Sequence, residues 1–210
     1  MVTIALIELS HHFTELYIED IEMPKLRGSE KLQFTIGVCA LGPLVSTPAN
    51  ALAGATIVKN AFNAYVTSLG TNIRQRANFF GTALRLAFHD AGEFDIKATD
   101  TLGMDGCLSA TGPNNGLQQP VTTLTNTVVE GFWQLACNKI SRADTWALVG
   151  KLAAETASAI SGYRLPFYYG RKDSVTCAAG AGRLPAHQPG LSEYQRVYVN
   201  QLGLTIRDGG

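Results

Sequence analysis

Three observations predict an all-α fold for this chain of 210 residues. Apolar residues recur at i, i+3 and i+4 in several separate stretches, the period of helices with one buried face. Helix-start signals stand ahead of those stretches: Pro120, and the Ser141-x-x-Asp144 and Ser192-x-x-Gln195 boxes. Alternating apolar and polar runs that would mark strands are almost absent. With 46% hydrophobic and 16% charged residues, the chain can fill one packed core and does not read as disordered. A formal net charge of +0 leaves no basic surface for nucleic acid or an anionic membrane, so neither partner is expected.

The N-terminal part reads differently. Residues 32–45 form an apolar run, too short to span a bilayer comfortably. Lys25, Arg27 and Lys31 precede it, and the small-x-small pattern Ala51-Leu52-Ala53 follows. That is the layout of a secretory signal peptide starting inside the chain, with Met23 as a natural start. The expected organisation is a leader over 1–53, signal-like over 23–53, then one domain over 54–210; residues 1–22 read as an over-extended gene model or an unusual leader. Secretion is the expected destination. Cleavage after Ala53 would remove Cys39 and leave Cys107, Cys137 and Cys177, allowing one disulfide of undetermined pairing. No C-x-x-C spacing points to zinc.

Along the expected domain, Val58, Ala61, Phe62, Tyr65 and Leu69 share one face of a helix over 56–69 that ends near Gly70. A second helix over 78–90, with Asn78 as its N-cap, carries Phe80, Ala83, Leu84, Ala87 and Phe88 on its apolar face. Residues 91–119 are rich in Gly, Asp, Thr, Asn and Pro and read as a long loop, which in a compact domain is usually functional. Pro120 opens a third helix with the stripe Val121, Leu124, Val128 and Phe132. Ser141 opens a fourth, whose Trp146, Ala147, Gly150, Ala153, Ala154 and Ala157 form a face of mostly small residues suited to close packing. After a second loop over 161–190, Ser192 opens a fifth helix that stops at Gly203.

The second helix holds the candidate chemistry. Arg85 and His89 are four apart, so they lie one turn from each other on the same face. Alone, such a pair is more often a core histidine beside a surface arginine than a site. No phosphate-binding loop, dinucleotide fingerprint, G-x-S-x-G or H-E-x-x-H competes with it.

Six ordered motifs change that reading. LRLAFHDAG at 84–92, DG at 105–106, NNGL at 114–117, ISRADTWAL at 140–148, YGRKDS at 169–174 and RLP at 183–185 together resemble the plant, fungal and bacterial haem peroxidase superfamily over residues 55–208. The resemblance implies an all-α fold, of which this chain would be the distal, N-terminal half with long loops. It implies a monomeric, haem-dependent enzyme that reduces hydrogen peroxide, oxidises small donors and serves the response to oxidative stress. In that reading His89 is the distal base and Arg85 the cation that stabilises charge as the O–O bond splits. Asn114 accepts the other imidazole N–H and sets the tautomer, and Phe88 lies against the cofactor, haem b. Asp90, Gly103 (through its carbonyl) and Asp105 match ligands of the family's calcium site. Cys107 stands where the family has a hydroxyl ligand, and a thiol is a poor one. Asp144 and Arg171 match an internal ion pair.

Departures refine the resemblance. Phe88 before the histidine resembles the secreted classes rather than the ascorbate-type class, which has Trp there. Ala91 and Arg142 stand where the plant secreted class has cysteines. Asn78 and Thr82 replace the carboxylates of manganese-oxidising members. Leu202-Gly203-Leu204-Thr205 to Asp208 resembles the segment preceding the family's proximal histidine, yet no histidine follows. His11 and His12 fall in the leader, and His187 reads as a surface residue. The expectation is therefore a distal half without its iron ligand, as a truncated chain or as a non-catalytic remnant that binds calcium or haem.

Overall fold

The computed structural model describes residues 14–16, 39 and 48–207, apart from 101, 110–119, 175, 178–181 and 187–189. Five α-helices make up most of it: α1 Pro48–Ser68, α2 Ile73–Ala91, α3 Pro120–Gln134, α4 Arg142–Ala157 and the short α5 Leu191–Tyr194. A π-helical stretch, Gln195–Gln201, continues α5. Two three-residue strands, β1 Thr14–Leu16 and β2 Phe167–Tyr169, pair antiparallel with Thr14 opposite Tyr169. The all-α expectation holds.

Helix α1 is longer than its apolar stripe predicts and begins at Pro48, so Ala51-Leu52-Ala53 lie in its first turns with Ala51 fully buried. Val58 and Phe62 are buried as the stripe requires, and Gly70 ends the turn after the helix in the left-handed region at φ +57°. Helix α2 begins earlier than the apolar pattern shows. Its N-cap is Asn72, whose side chain accepts from the Gln75 N–H at 3.1 Å, while Asn78 is exposed in mid-helix. The polar run Arg74 to Asn78 hid this first turn from a reading based on hydrophobic period.

On α3, Thr122, Thr125, Val129 and Phe132 are buried while Leu124 is 59% exposed. The buried face is thus rotated from the predicted one, because two threonines fill it. Helix α4 is capped by Ser141, whose hydroxyl accepts from the Asp144 N–H at 3.0 Å. The expected Ser192–Gln195 box does not form. Gly190 caps α5 without a side-chain bond, and Gln195 begins the π-helical stretch instead.

The core lies where α1, α2, α3 and α4 meet, around Phe62, Phe79, Phe80, Val129, Trp146, Leu148 and Val149. Each such side chain contributes roughly 1.5–3 kcal/mol by leaving water. Phe62, Phe79, Phe80 and Tyr65 form a ring cluster with centroids 4.7–6.2 Å apart. Helix α2 packs most extensively on α4. They pack tightly at Gly150, where a Cβ would lie 2.9 Å from the Ala87 Cβ. Gly150→Ala is expected to cost about 1–3 kcal/mol in overpacking, against a helix-propensity gain of about 1 kcal/mol. A lower urea midpoint at unchanged slope would show it. An unchanged midpoint would mean that α2 and α4 part freely.

Two disulfides close the fold, Cys39–Cys137 and Cys107–Cys177. Cys107–Cys177 is one of the pairings the sequence left open, while Cys39–Cys137 departs from the expectation of a single bridge lacking Cys39. The segment before α1 is tied to the turn after α3, and the loop after α2 is tied to the strip after β2.

Candidate active site on helix α2

Helix α2 places Arg85, Phe88 and His89 along one side and Asp90 on the other. Arg85 is exposed, Phe88 and His89 are half-buried, and Asp90 is buried. Burial, and then the neighbouring Arg85 charge, push the His89 imidazole down to about 4. At neutral pH it is therefore an uncharged base. Its Nδ1 is buried without a hydrogen-bond partner among the described residues. Asn114, the acceptor expected there, lies outside them.

Two aromatic contacts frame the histidine. The Phe88 ring stands nearly perpendicular to the His89 ring, with centroids 6.5 Å apart and planes at 87°. Tyr198, on the π-helical stretch, stacks on Phe88 at 6.0 Å and 21°. Tyr194 continues the stack at 5.0 Å. Sequence reasoning missed Tyr198, although the Tyr194/Tyr198 spacing of four could have signalled an aromatic pair on one face. It also missed Gln201, which is buried and donates to the Gly92 and Phe94 carbonyls at 2.9 and 3.0 Å. The Ile96 N–H returns to the Gln201 carbonyl at 2.9 Å, so this residue clamps the π-helical stretch onto the chain leaving α2.

Behind the histidine, Asp90 and Asp105 meet. Asp90 accepts from the Gly106 N–H at 3.0 Å, and Asp105 from the Cys107 N–H at 3.0 Å. Gly106 makes its bond from φ +80°, a conformation that favours glycine. Burial, and then the Asp105 charge, push the Asp90 carboxyl well above the usual range. Burial pushes the Asp105 carboxyl up as well. Gly103 is on the same loop, at φ +143° against Phe94.

Calcium takes six to eight oxygens. The carboxyls of Asp90 and Asp105 each already accept a backbone N–H. Cys107, at the place of a hydroxyl ligand, has its sulfur in a disulfide. Among the described residues no three His, Cys, Asp or Glu side chains form a metal-holding group. Two carboxyls and one carbonyl are fewer oxygens than calcium takes, and calcium binding rests on the resemblance alone.

The fit to haem is one-sided. Phe88 supplies an apolar edge, and His89 and Arg85 supply polar groups at one side of it, which suits one face of a flat macrocycle. His89 is the one histidine among the described residues; His11, His12 and His187 lie outside them.

The expected ion pair is present. Asp144, fully buried, accepts from Arg171 Nη1 at 3.0 Å and from the backbone N–H groups of Gly170 and Arg171 at 2.8 and 3.3 Å. It fixes the YGRKDS strip to the start of α4. Next to it, the Asp173 carboxylate accepts from the Arg142 and Ala143 N–H groups at 3.0 and 2.9 Å.

A helical scaffold with an arginine and a neutral histidine on one helix face is compatible with the class of all-α peroxidases. Comparison with known proteins agrees: the profile of the family described as peroxidase matches residues 57–209. This chain belongs to that family, within the plant haem peroxidase superfamily. Among curated proteins it is 36% identical to L-ascorbate peroxidase 2, cytosolic, of Arabidopsis thaliana over 60% of this chain and 47% of that protein. It is 33% identical to L-ascorbate peroxidase 5, peroxisomal, of the same plant, over 60% of this chain and 42% of that protein. It is 32% identical to L-ascorbate peroxidase 1, cytosolic, of Oryza sativa subsp. indica, over 60% and 48%. The matched region is thus less than half the length of these relatives.

These relatives overturn the expectation of secretion, since they are cytosolic or peroxisomal proteins. Neither the Phe88 cue nor the signal-like layout over 23–53, of which only Cys39 and residues 48–53 are among the described residues, stands as evidence of export. Among the described residues no helix is long and apolar enough to cross a membrane.

Proposed function

We propose that this chain carries the peroxide-cleaving face of a haem peroxidase, with His89, Arg85 and Asn114 as its working groups. The observation that supports it most is the half-buried imidazole, held uncharged at neutral pH, with a buried Nδ1 in want of an acceptor. Asn114 would take the Nδ1 proton, leaving Nε2 free to act as the base. When bound, haem supplies the electrons that reduce the O–O bond.

His89 Nε2 accepts the proton of the first peroxide oxygen and returns it to the second, which leaves as water. Arg85, always cationic, balances the negative charge gathering on that leaving oxygen. Phe88 excludes water beside the histidine and presents its edge to the cofactor. Small reducing substrates would complete the cycle in a role against oxidative stress. The names of the relatives make ascorbate the first donor to test.

The experiment is a haemin titration of the purified protein, followed by hydrogen peroxide and a donor. A Soret band with peroxide-dependent donor oxidation supports the reading. Haem binding without turnover would make the chain a binding remnant, and no binding would remove the reading altogether.

The pH dependence adds a sharper check. Because His89 is lowered to about 4, peroxide cleavage is expected to be flat above about pH 5 and to fall roughly tenfold per pH unit below 4. The same group weakens the fold in acid. Unfolded, it binds a proton near its ordinary value of 6.5, so stability declines as pH falls from 6.5 towards 4 and is not lowered further by this group below that. A rate that instead falls through pH 6.5 would show that His89 is solvated in the working protein.

A further inference from the structure

We propose that the Cys107–Cys177 disulfide is a thiol-reducible lock on the end of α2, and that opening it frees the turn that carries His89 and Asp90. Three observations on two strips of chain carry this. On the first strip, Gly106 holds Asp90 and Cys107 holds Asp105, both through backbone N–H groups at 3.0 Å. The half-turn that fixes the end of α2 is thus the one that bears the disulfide. On the second strip, the Ser174 N–H donates to the Asp105 carbonyl at 2.9 Å, and the disulfide joins the strips again at Cys177, 70 residues from Cys107.

The third observation is conformational. Cys177 is the only non-glycine residue with positive φ among the described residues, at +43°. That left-handed conformation is disfavoured for a side-chain-bearing residue and persists when its surroundings enforce it. The bond to Cys107 is an evident constraint, so reduction lets Cys177 relax away from the geometry that keeps the strips together. Asp144 and Asp173 hold the earlier part of the same strip to α4 independently, which keeps the change local.

The chemistry is ordinary exchange with a dithiol. A thiolate attacks the Cys177 sulfur, the half-buried end of a bond whose other residue is 4% exposed. Cys107 leaves as a thiolate and takes a proton, and the second thiol of the reductant resolves the mixed disulfide. Two electrons and two protons pass from the dithiol to the two cysteines. The lock is a statement about the fold; only its effect on catalysis rests on the peroxidase reading.

The test is hydrogen exchange of the full chain, read by mass spectrometry over residues 86–92 and 103–108, with and without dithiothreitol. Thiol alkylation identifies which disulfide has opened. Opening Cys107–Cys177 is expected to speed exchange in both segments at least tenfold while α1 and α3 stay protected. Cys107→Ala/Cys177→Ala should reproduce this without reductant, and Cys39→Ala/Cys137→Ala should not. Graded reduction of the native protein gives the answer if the variants do not fold. The proposal is overturned if the reduced bond leaves both segments unchanged, if dithiothreitol cannot reduce it before the fold is lost, or if protection disappears from all helices together. Failure of the peroxidase reading would show separately, as an oxidised protein without turnover whose exchange still responds to the dithiol.

Discussion

Replacing His89 by alanine is expected to lower the rate of peroxide cleavage by at least about 10²–10⁴-fold, the usual contribution of a positioned proton-transfer group. The imidazole is half-buried, and with Asn114 as its proposed acceptor its removal breaks one hydrogen bond, about 1 kcal/mol. The helix around it is held by other side chains: Phe79, Phe80, Ala83, Leu86 and Ala87 face the core. Circular dichroism and the urea midpoint should therefore stay close to those of the parent while the rate collapses. Arg85 would remain to bind and polarise peroxide, which sets a residual rate above that of free haem. Stopped-flow mixing of the haem-loaded protein with hydrogen peroxide measures the step directly. An unchanged second-order rate would remove His89 from the mechanism.

The largest expected effect on stability comes from Asp144→Ala. The carboxylate is fully buried and takes three N–H donors, two from backbone and one from Arg171. Truncation leaves a guanidinium that is 9% exposed without its counter-charge and two backbone N–H groups without acceptors. Breaking one side of such a pair costs about 3–5 kcal/mol, because the surviving charge keeps its desolvation penalty. Asp144 also sits in the first turn of α4, where a negative charge opposes the helix dipole and contributes a further few tenths of a kcal/mol. Denaturant unfolding should show the loss, and Asp144→Leu/Arg171→Leu should cost less than Asp144→Ala alone if the stranded charge dominates. A loss below about 1 kcal/mol would mean that Arg171 finds another partner, and its existing bond to the Tyr168 carbonyl at 2.6 Å marks where.

Features written in local spacing were legible in the sequence. Arg85 and His89 share a face because four residues make roughly one turn, and Ser141 caps α4 because its hydroxyl reaches only three residues ahead. The Asp144–Arg171 pair was legible only through the six-motif resemblance, since nothing local joins residues 27 apart. Other features depended on partners that spacing does not reveal. Thr122 and Thr125 were passed over as polar, yet they fill the buried side of α3, while Leu124 faces water. Cys107 looked like a flawed metal ligand until the fold brought Cys177 beside it. Ser192 carries a cap signal that loses to Gly190, and Gln195, its expected partner, opens the π-helical stretch that continues α5. The Gln201 clamp was silent because a glutamine bonding carbonyls about a hundred positions away has no sequence signature.

Asp173 bears on the order in which the chain folds. Helix α4 begins under two restraints, one from Ser141 next to it and one from a carboxylate about thirty residues downstream. The first can act as soon as a single turn forms. The second must wait until the chain has run through α4, crossed β2 and come back, which carries the entropy cost of closing that loop. The start of α4 should accordingly fray in early folding species and tighten only when the returning strip docks. That late docking would also bring Cys177 to Cys107, so formation of their bond would report completion of the domain rather than its nucleation.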